Sequence, residues 1–455
     1  MSESSGGQTQ GNPLQKGAMF MAGLTLLQSL RVALTGAKFA LDRFKIPQQH
    51  ASSFINMVHN PMELATFTGM AIVTSIALVT GDSSKDFFRG FAAFTNVALC
   101  LSFIMLLYAF TSGGEQGDLT FYYWTIVFGS FIYGLNVPCV MNVASANAAF
   151  FNVGIPVSGI QVSVYYYVFT KLAERYNWSN VSYWIIFWQL IIAILISAAS
   201  AIVWIIAYGD SNGEGGGQGL DGIDKAISPI LMGVVGMGGI YAFYPAIAPY
   251  KLTDVSTGYK IDLVILFMSA VPGIIIAILC LYNKGPDQPW EGQNTKWNAT
   301  WVLAIPHITA MVLCLVTLHY PGSRVASSIK SSGLRVGVIT VTLKFCEEGL
   351  KAVSYAGGGA YGGTISAVNA FTSQGLMIVL AFTGDGYLKT YSKYEHDRSK
   401  WPTKDCGFFK SLGYWTWNGM KVACKSVKSS FTKNVRCKVL GKSEALLIVY
   451  EDQEF

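Results

Sequence analysis

The sequence predicts an all-α polytopic membrane protein of ten or eleven transmembrane helices in a six-plus-five arrangement. Three observations predict it: the composition, a series of long apolar runs, and one Gly-rich hydrophilic break between them. Of 455 residues, 52% are hydrophobic and 13% charged, and the mean hydropathy is +0.40. Soluble domains carry about 25% charged residues. A helix of about 20 apolar residues crosses the hydrocarbon core, so each run of that length is a candidate span.

Residues 1–16 are Ser/Gly/Gln-rich with no basic cluster before the first apolar run, which predicts a disordered N-terminus and no cleaved signal peptide. The run 17–41 is interrupted by Arg31 and Lys38, so it either spans or lies flat on the membrane. Runs at 62–79, 88–111, 121–143, 150–169 and 183–208 complete a first bundle over 17–208. Residues 209–226, with GlyGluGlyGlyGlyGlnGly inside them, read as a flexible linker. Runs at 227–250, 261–282, 301–319, 336–356 and 364–382 form a second bundle over 227–384.

The tail, 385–455, holds 13 basic and 8 acidic residues and so carries +5 of the net charge of +6. Met420, Cys424, Val427, Phe431, Val435 and Val439 recur every three or four residues beside Lys421, Lys425, Lys428 and Arg436. That spacing predicts a basic amphipathic helix, lying on anionic lipid headgroups if the tail is cytosolic, or packed on the protein's own end.

The run 336–356 contains Lys344, Glu347, Glu348 and Lys351 where lipid would otherwise lie. A charge at the bilayer centre costs about 3 kcal/mol even on the mildest scale, so the four must be compensated. On a helix Lys344 faces Glu348 and Glu347 faces Lys351 at the i,i+4 spacing. Three readings follow. The segment is not transmembrane, or the quartet clamps helices as a salt-bridge ladder, or it lines a solute path. In the last, a carboxylate meets a cationic or hydroxyl-rich part of a solute, or carries a proton, while the lysines hold the acids ionised.

Gln28, Asn136 and Asn369 offer amide contacts to a solute, although interhelical hydrogen bonding suits them equally. Gln28, Ser29 and Arg31 would line the first span if the first run crosses. Tyr244, beside Tyr241 and Tyr250, either stacks on a planar ligand or sits in an interfacial belt. Gly154, Gly159, Pro245 and Gly375 read as helix-packing or hinge positions. His307 and His319 are isolated and read as packing residues. The eight cysteines show no metal-ligand spacing, and no P-loop, Rossmann fingerprint or Ser/His/Asp constellation is present. No enzyme activity, cofactor, metal or nucleic acid polymer is therefore expected. The expected partners are the lipid bilayer and a small polar solute.

Several motifs, in order along 17–384, resemble the equilibrative nucleoside transporters. Gly129 and Gly134 precede Gly154-Ile155-Pro156-Val157-Ser158-Gly159, which is similar to that family's glycine-rich stretch. Phe243-Tyr244-Pro245-Ala246 resembles its aromatic-Pro-Ala, and Gly363, Phe371 and Gly375-Leu376 follow in family-like order. The chain also looks like the Tpr-related multi-spanning proteins of piroplasm parasites. The resemblance implies eleven spans and a carrier of nucleosides or nucleobases working by alternating access.

Departures fall on substrate positions. Leu26-Leu27 is followed by Gln28-Ser29-Leu30 rather than Pro-Trp-Asn, residues 263–281 carry no charge, and Glu348 stands where the family has Asn. A non-transporting surface or partner platform on a degenerate carrier scaffold is the alternative.

Topology is open at this level. The resemblance implies a cytosolic N-terminus and, with eleven spans, an external tail, whereas basic segments prefer the cytosolic side.

Overall fold

The computed structural model describes residues 12–440 apart from 35, 48–49, 82–84, 210–218, 396 and 432–434. Most of the Gly-rich linker and residues 1–11 of the N-terminus thus lie outside the described residues. Helix starts the sequence passes over are fixed by caps. Asn12 Oδ1 accepts the backbone N–H of Leu14 with Pro13 in the first turn, so helix begins inside the stretch expected to be disordered.

The first apolar run forms three short helices, α1 (Pro13–Leu26), α2 (Gln28–Leu34) and α3 (Ala37–Arg43). It does not lie flat. Ala18 and Met19 are fully buried, because α1 packs against both α7 (Ala148–Tyr176) and α8 (Val181–Tyr208). Between them come α4 (Ala51–Thr80), α5 (Lys85–Thr111) and α6 (Leu119–Val143). Together these make the first half.

The second half contains α9 (Ile223–Gly238), the short α10 (Ile240–Phe243), α11 (Val255–Leu281), α12 (Ala304–His319), α13 (Arg324–Lys330), α14 (Gly333–Gly359) and α15 (Gly363–Ser392). The run expected at 227–250 therefore ends early, at Phe243, and a turn holding the cis Tyr244–Pro245 and Ala248–Pro249 bonds leads to α11. Asp254 caps α11, accepting from Thr257 N at 2.8 Å, and that backbone N–H holds its carboxyl below the ordinary carboxylate range. The helix starts six residues before the apolar run does, so Asp262 stands well within the helix rather than at its end. Eleven crossings result. Among the described residues nine helices are long and apolar enough to cross a membrane. The other two crossings are the broken first run and α14 with its quartet. The protein is an integral, multi-pass membrane protein.

Lipid offers little hydrophobic drive between helices, so association relies on close packing. Accordingly α1 meets α7 backbone to backbone: a Cβ on Gly154 would lie 2.4 Å from Phe20 O, and one on Gly23 2.1 Å from Phe151 O. The two halves meet where α15 packs on α4 and α6, and where α11 and α14 pack on α7.

Alternating directions put the connections after Arg43, Thr111, Tyr176, Phe243, His319 and Ser392 on one face, here the tail face. Those after Thr80, Val143, Tyr208, Leu281 and Gly359 lie on the opposite, N-terminal face. The single tail helix expected from periodicity is split into α16 (Phe408–Ser430) and α17 (Val435–Leu440). One side of α16 packs on α15 through Trp415 and Ala423, while Phe408, Phe409, Leu412, Trp417 and Met420 are exposed. Val435 and Val439 are buried in the first half, and Arg436 donates to Phe44 O and Gln116 O.

Candidate functional site

Between the halves lies a cavity of about 270 Å³ that runs from the middle of the bundle toward the tail face. The first half contributes Leu27 from the α1–α2 junction, Leu30 and Arg31 from α2, His59, Asn60 and Glu63 from α4, Tyr133 from α6, and Ile155 and Pro156 from α7. The second contributes Tyr241, Tyr244 and Pro245, Asp262 and Ser269 from α11, the quartet and Tyr355 from α14, and Gln374 and Asp385 from α15. On the N-terminal face the halves are in contact. A Cβ on Gly359 would stand 2.1 Å from Ser145 O, and Ser366 Oγ donates to Met141 Sδ at 3.7 Å.

The quartet is more densely connected than i,i+4 pairing alone provides. Lys344 Nζ bonds Glu347 Oε2, and Glu348 Oε1 at 3.1 Å. Lys351 Nζ pairs with Glu348 Oε2, and with Glu347 Oε1 at 3.7 Å. Each cation thus touches both acids, at i,i+3 as well as i,i+4, and the group is neutral as a unit. The Lys344 side chain is 16% exposed, against 2% for Glu347 and 5% each for Glu348 and Lys351. The ammonium of Lys344, rather than a carboxylate, is therefore the most exposed part of the quartet.

Tyr241 sits within electrostatic reach of Glu63 and Arg31 from one half and Lys344 and Glu347 from the other. Glu63 pairs with His59 at 3.3 Å and Asp385 with Lys389 at 2.9 Å. Tyr244 Oη donates to Asp262 Oδ1 at 3.1 Å, and Tyr250 Oη to its other oxygen.

The remaining sequence candidates lie elsewhere. Gln28 is buried and donates to Leu24 O and to Gln161 Oε1, on the α2–α7 seam. Asn136 donates to Thr95 Oγ1, joining α6 to α5. Asn369 donates to Ser354 O at 2.9 Å and joins α15 to α14. Among the packing positions, Gly154 meets the α1 backbone, and Gly159 accommodates the Arg31 guanidinium, 2.7 Å from where its Cβ would be. Gly375 lies against Phe67 and Phe371, whereas Pro245 lines the cavity. His307 Nδ1 bonds Leu343 O and His319 Nε2 bonds Tyr387 Oη, both outside the cavity lining. Sequence reasoning missed Glu63, Tyr133 and Asp262. A carboxylate at an i,i+4 distance from His59 was the one available signal for Glu63.

The fold is similar to that of known carriers. The proton:xylose symporter XylE of the major facilitator superfamily, bound to 6-bromo-6-deoxy-D-glucose, matches with a TM-score of 0.55 at 10% identity, over 91% of this chain and 94% of that one. A variant of the E. coli fucose:proton symporter FucP matches with a TM-score of 0.50 at 12% identity, over 91% and 98%. The likeness is one of fold, since both identities are low. No protein-family model matches the sequence, and no curated protein does.

Proposed function

We propose that the protein is a membrane carrier that moves a small polar solute by alternating access, with nucleosides and nucleobases the first solutes to test. One observation carries the reading: a cavity between the halves, joined at the N-terminal face and reaching toward the tail face, with a neutral four-charge cluster in its lining. Rocking of one half on the other would present that cluster to each side. The motifs resembling the equilibrative nucleoside transporters, and with them the likeness to the Tpr-related proteins, support the solute class at two points. Ile155 and Pro156 of the glycine-rich stretch, and Tyr244 to Ala246, are cavity residues. Uptake of radiolabelled adenosine, uridine, hypoxanthine and uracil into transport-deficient cells tests it, and saturable uptake of at least one is expected. Absence of uptake, together with no thermal shift of purified protein on nucleosides, nucleobases, sugars or amino acids, overturns the carrier reading.

That outcome would favour the platform alternative, which has its own support. Gln28 stands where the resembling family has part of its Pro-Trp-Asn, and it is consumed in a helix seam.

We further propose that the tail face is cytosolic. Of the 32 Lys and Arg residues, 22 fall on the tail face and its appended tail, 6 on the N-terminal face and 4 within the bundle. Such a bias orients spans. The exposed apolar side of α16, flanked by Lys410, Lys421, Lys425 and Lys428, would then rest on anionic headgroups of the inner leaflet. An epitope appended after Phe455 is expected to need permeabilisation for detection, and one before Met1 to be reached from outside. The opposite pattern would reverse the orientation.

A further inference from the structure

Arg31 differs from the other cations of the cavity. Lys344 and Lys351 are neutralised by Glu347 and Glu348, and His59 stands against Glu63. Arg31 forms no ion pair or hydrogen bond with any described residue, and its Nε is buried without a partner. An unpaired guanidinium between membrane helices is costly, and such groups are kept for a pairing made in some state of the molecule.

The complementary group stands on the other half. Asp262 is held by two tyrosine hydroxyls, from Tyr244 and Tyr250, and by no cation among the described residues. The hydroxyls fix its position without neutralising it. Leu266, one turn further along α11, reaches the same point as the guanidinium. A Cβ on Gly159 would be 2.7 Å from Arg31 Nη2 and 3.2 Å from Leu266 Cδ1. Asp262 is one turn nearer the tail face, so the two charges flank the route between the quartet and that face. The other charged groups on this route have partners: Glu63 has His59 and Asp385 has Lys389.

We propose that Arg31 and Asp262 are the two sides of a gate, which pair across the halves when the tail-face mouth closes. Closure brings the planar guanidinium fork onto a carboxylate already positioned by its tyrosines, a charge-assisted contact that excludes water from the mouth. Opening separates the pair and leaves each charge beside the wet cavity. The gate rests on the carrier reading, since it requires the halves to rock.

The test uses the full chain in nanodiscs with Cys406, Cys424 and Cys437 replaced by Ser. Spin labels at Ser179→Cys and Ser327→Cys, exposed tail-face positions of opposite halves, report their separation. Two distances are expected, exchanging as the mouth opens and closes. Arg31→Asp and Asp262→Arg should each reduce the short-distance population about tenfold, a typical size for one coupled contact. The double reversal Arg31→Asp/Asp262→Arg should restore it to within about threefold. Arg31→Gln, which keeps the bulk, should act in the same direction if a reversal fails to fold. A double variant no better than the singles, or singles that leave the populations unchanged, overturns the gate while the rocking survives. A single distance in the parent chain, unmoved by nucleosides or nucleobases, overturns the carrier reading and the gate with it.

Discussion

Lys344→Met is expected to abolish uptake and to cost the bundle about 3–5 kcal/mol, because breaking a buried ion pair from one side leaves an uncompensated charge. Lys344 touches both acids and is the more exposed of the two cations. Without it Lys351 alone faces two carboxylates in a site that lipid and packed helices surround. Glu348→Gln, which leaves the quartet with net positive charge, should also abolish uptake. These losses mix folding with transport, and Lys344→Met/Glu347→Gln separates the two. That pair removes one charge of each sign, so the thermal melt in detergent should return to within about 1–2 kcal/mol of the parent, since replacing both partners of a buried pair is near neutral. Uptake should remain absent, because Lys344 offers the most exposed charge of the group. Recovered uptake in the double variant would reduce the quartet to a clamp between helices.

The quartet was legible in the sequence because its signal is local: four charges within eight residues of an apolar run can only be explained by mutual pairing. The spans were legible for the same reason, as length and hydropathy are properties of one segment. What the chain did not disclose depends on which faces the packing turns inward. Asp262 lies at the margin of its apolar run, where a carboxylate reads as a boundary residue, and it lines the cavity because packing turns its face of α11 inward. Glu63 sits beside Pro61 near the start of an apolar run, where a carboxylate reads as a boundary residue until α4 is seen to extend back to Ala51.

The amides show the converse. Gln28, Asn136 and Asn369 had the chemistry of ligand contacts, but each donates to an acceptor on a neighbouring helix, and such a bond in lipid has little reason to open. Arg31 could be named from sequence, but only the packed bundle shows that its Nε lacks a partner among the described residues.

Gly359→Ala should stop transport with little loss of stability, whereas Gly154→Ala should do the reverse. Both methyl groups would collide with a backbone carbonyl, which cannot rotate away as a side chain can. At Gly154 the obstacle is Phe20 O at 2.4 Å, and both belong to the first half. Overpacking there strains α1 against α7 in every conformation, for about 1–3 kcal/mol of stability. At Gly359 the obstacle is Ser145 O at 2.1 Å, across the contact that joins the two halves on the N-terminal face. The halves can relieve that clash by parting, so the strain becomes a bias toward the conformation in which this face is open. Ser366→Cys, whose parent hydroxyl touches Met141 across the same contact, reports the parting. Its alkylation by a small maleimide should rise about tenfold in Gly359→Ala, for a bias of about 1.4 kcal/mol, and stay unchanged in Gly154→Ala. Equal alkylation in the two variants would mean that Ser145 and Gly359 do not part, and that a carrier built on this chain hinges elsewhere.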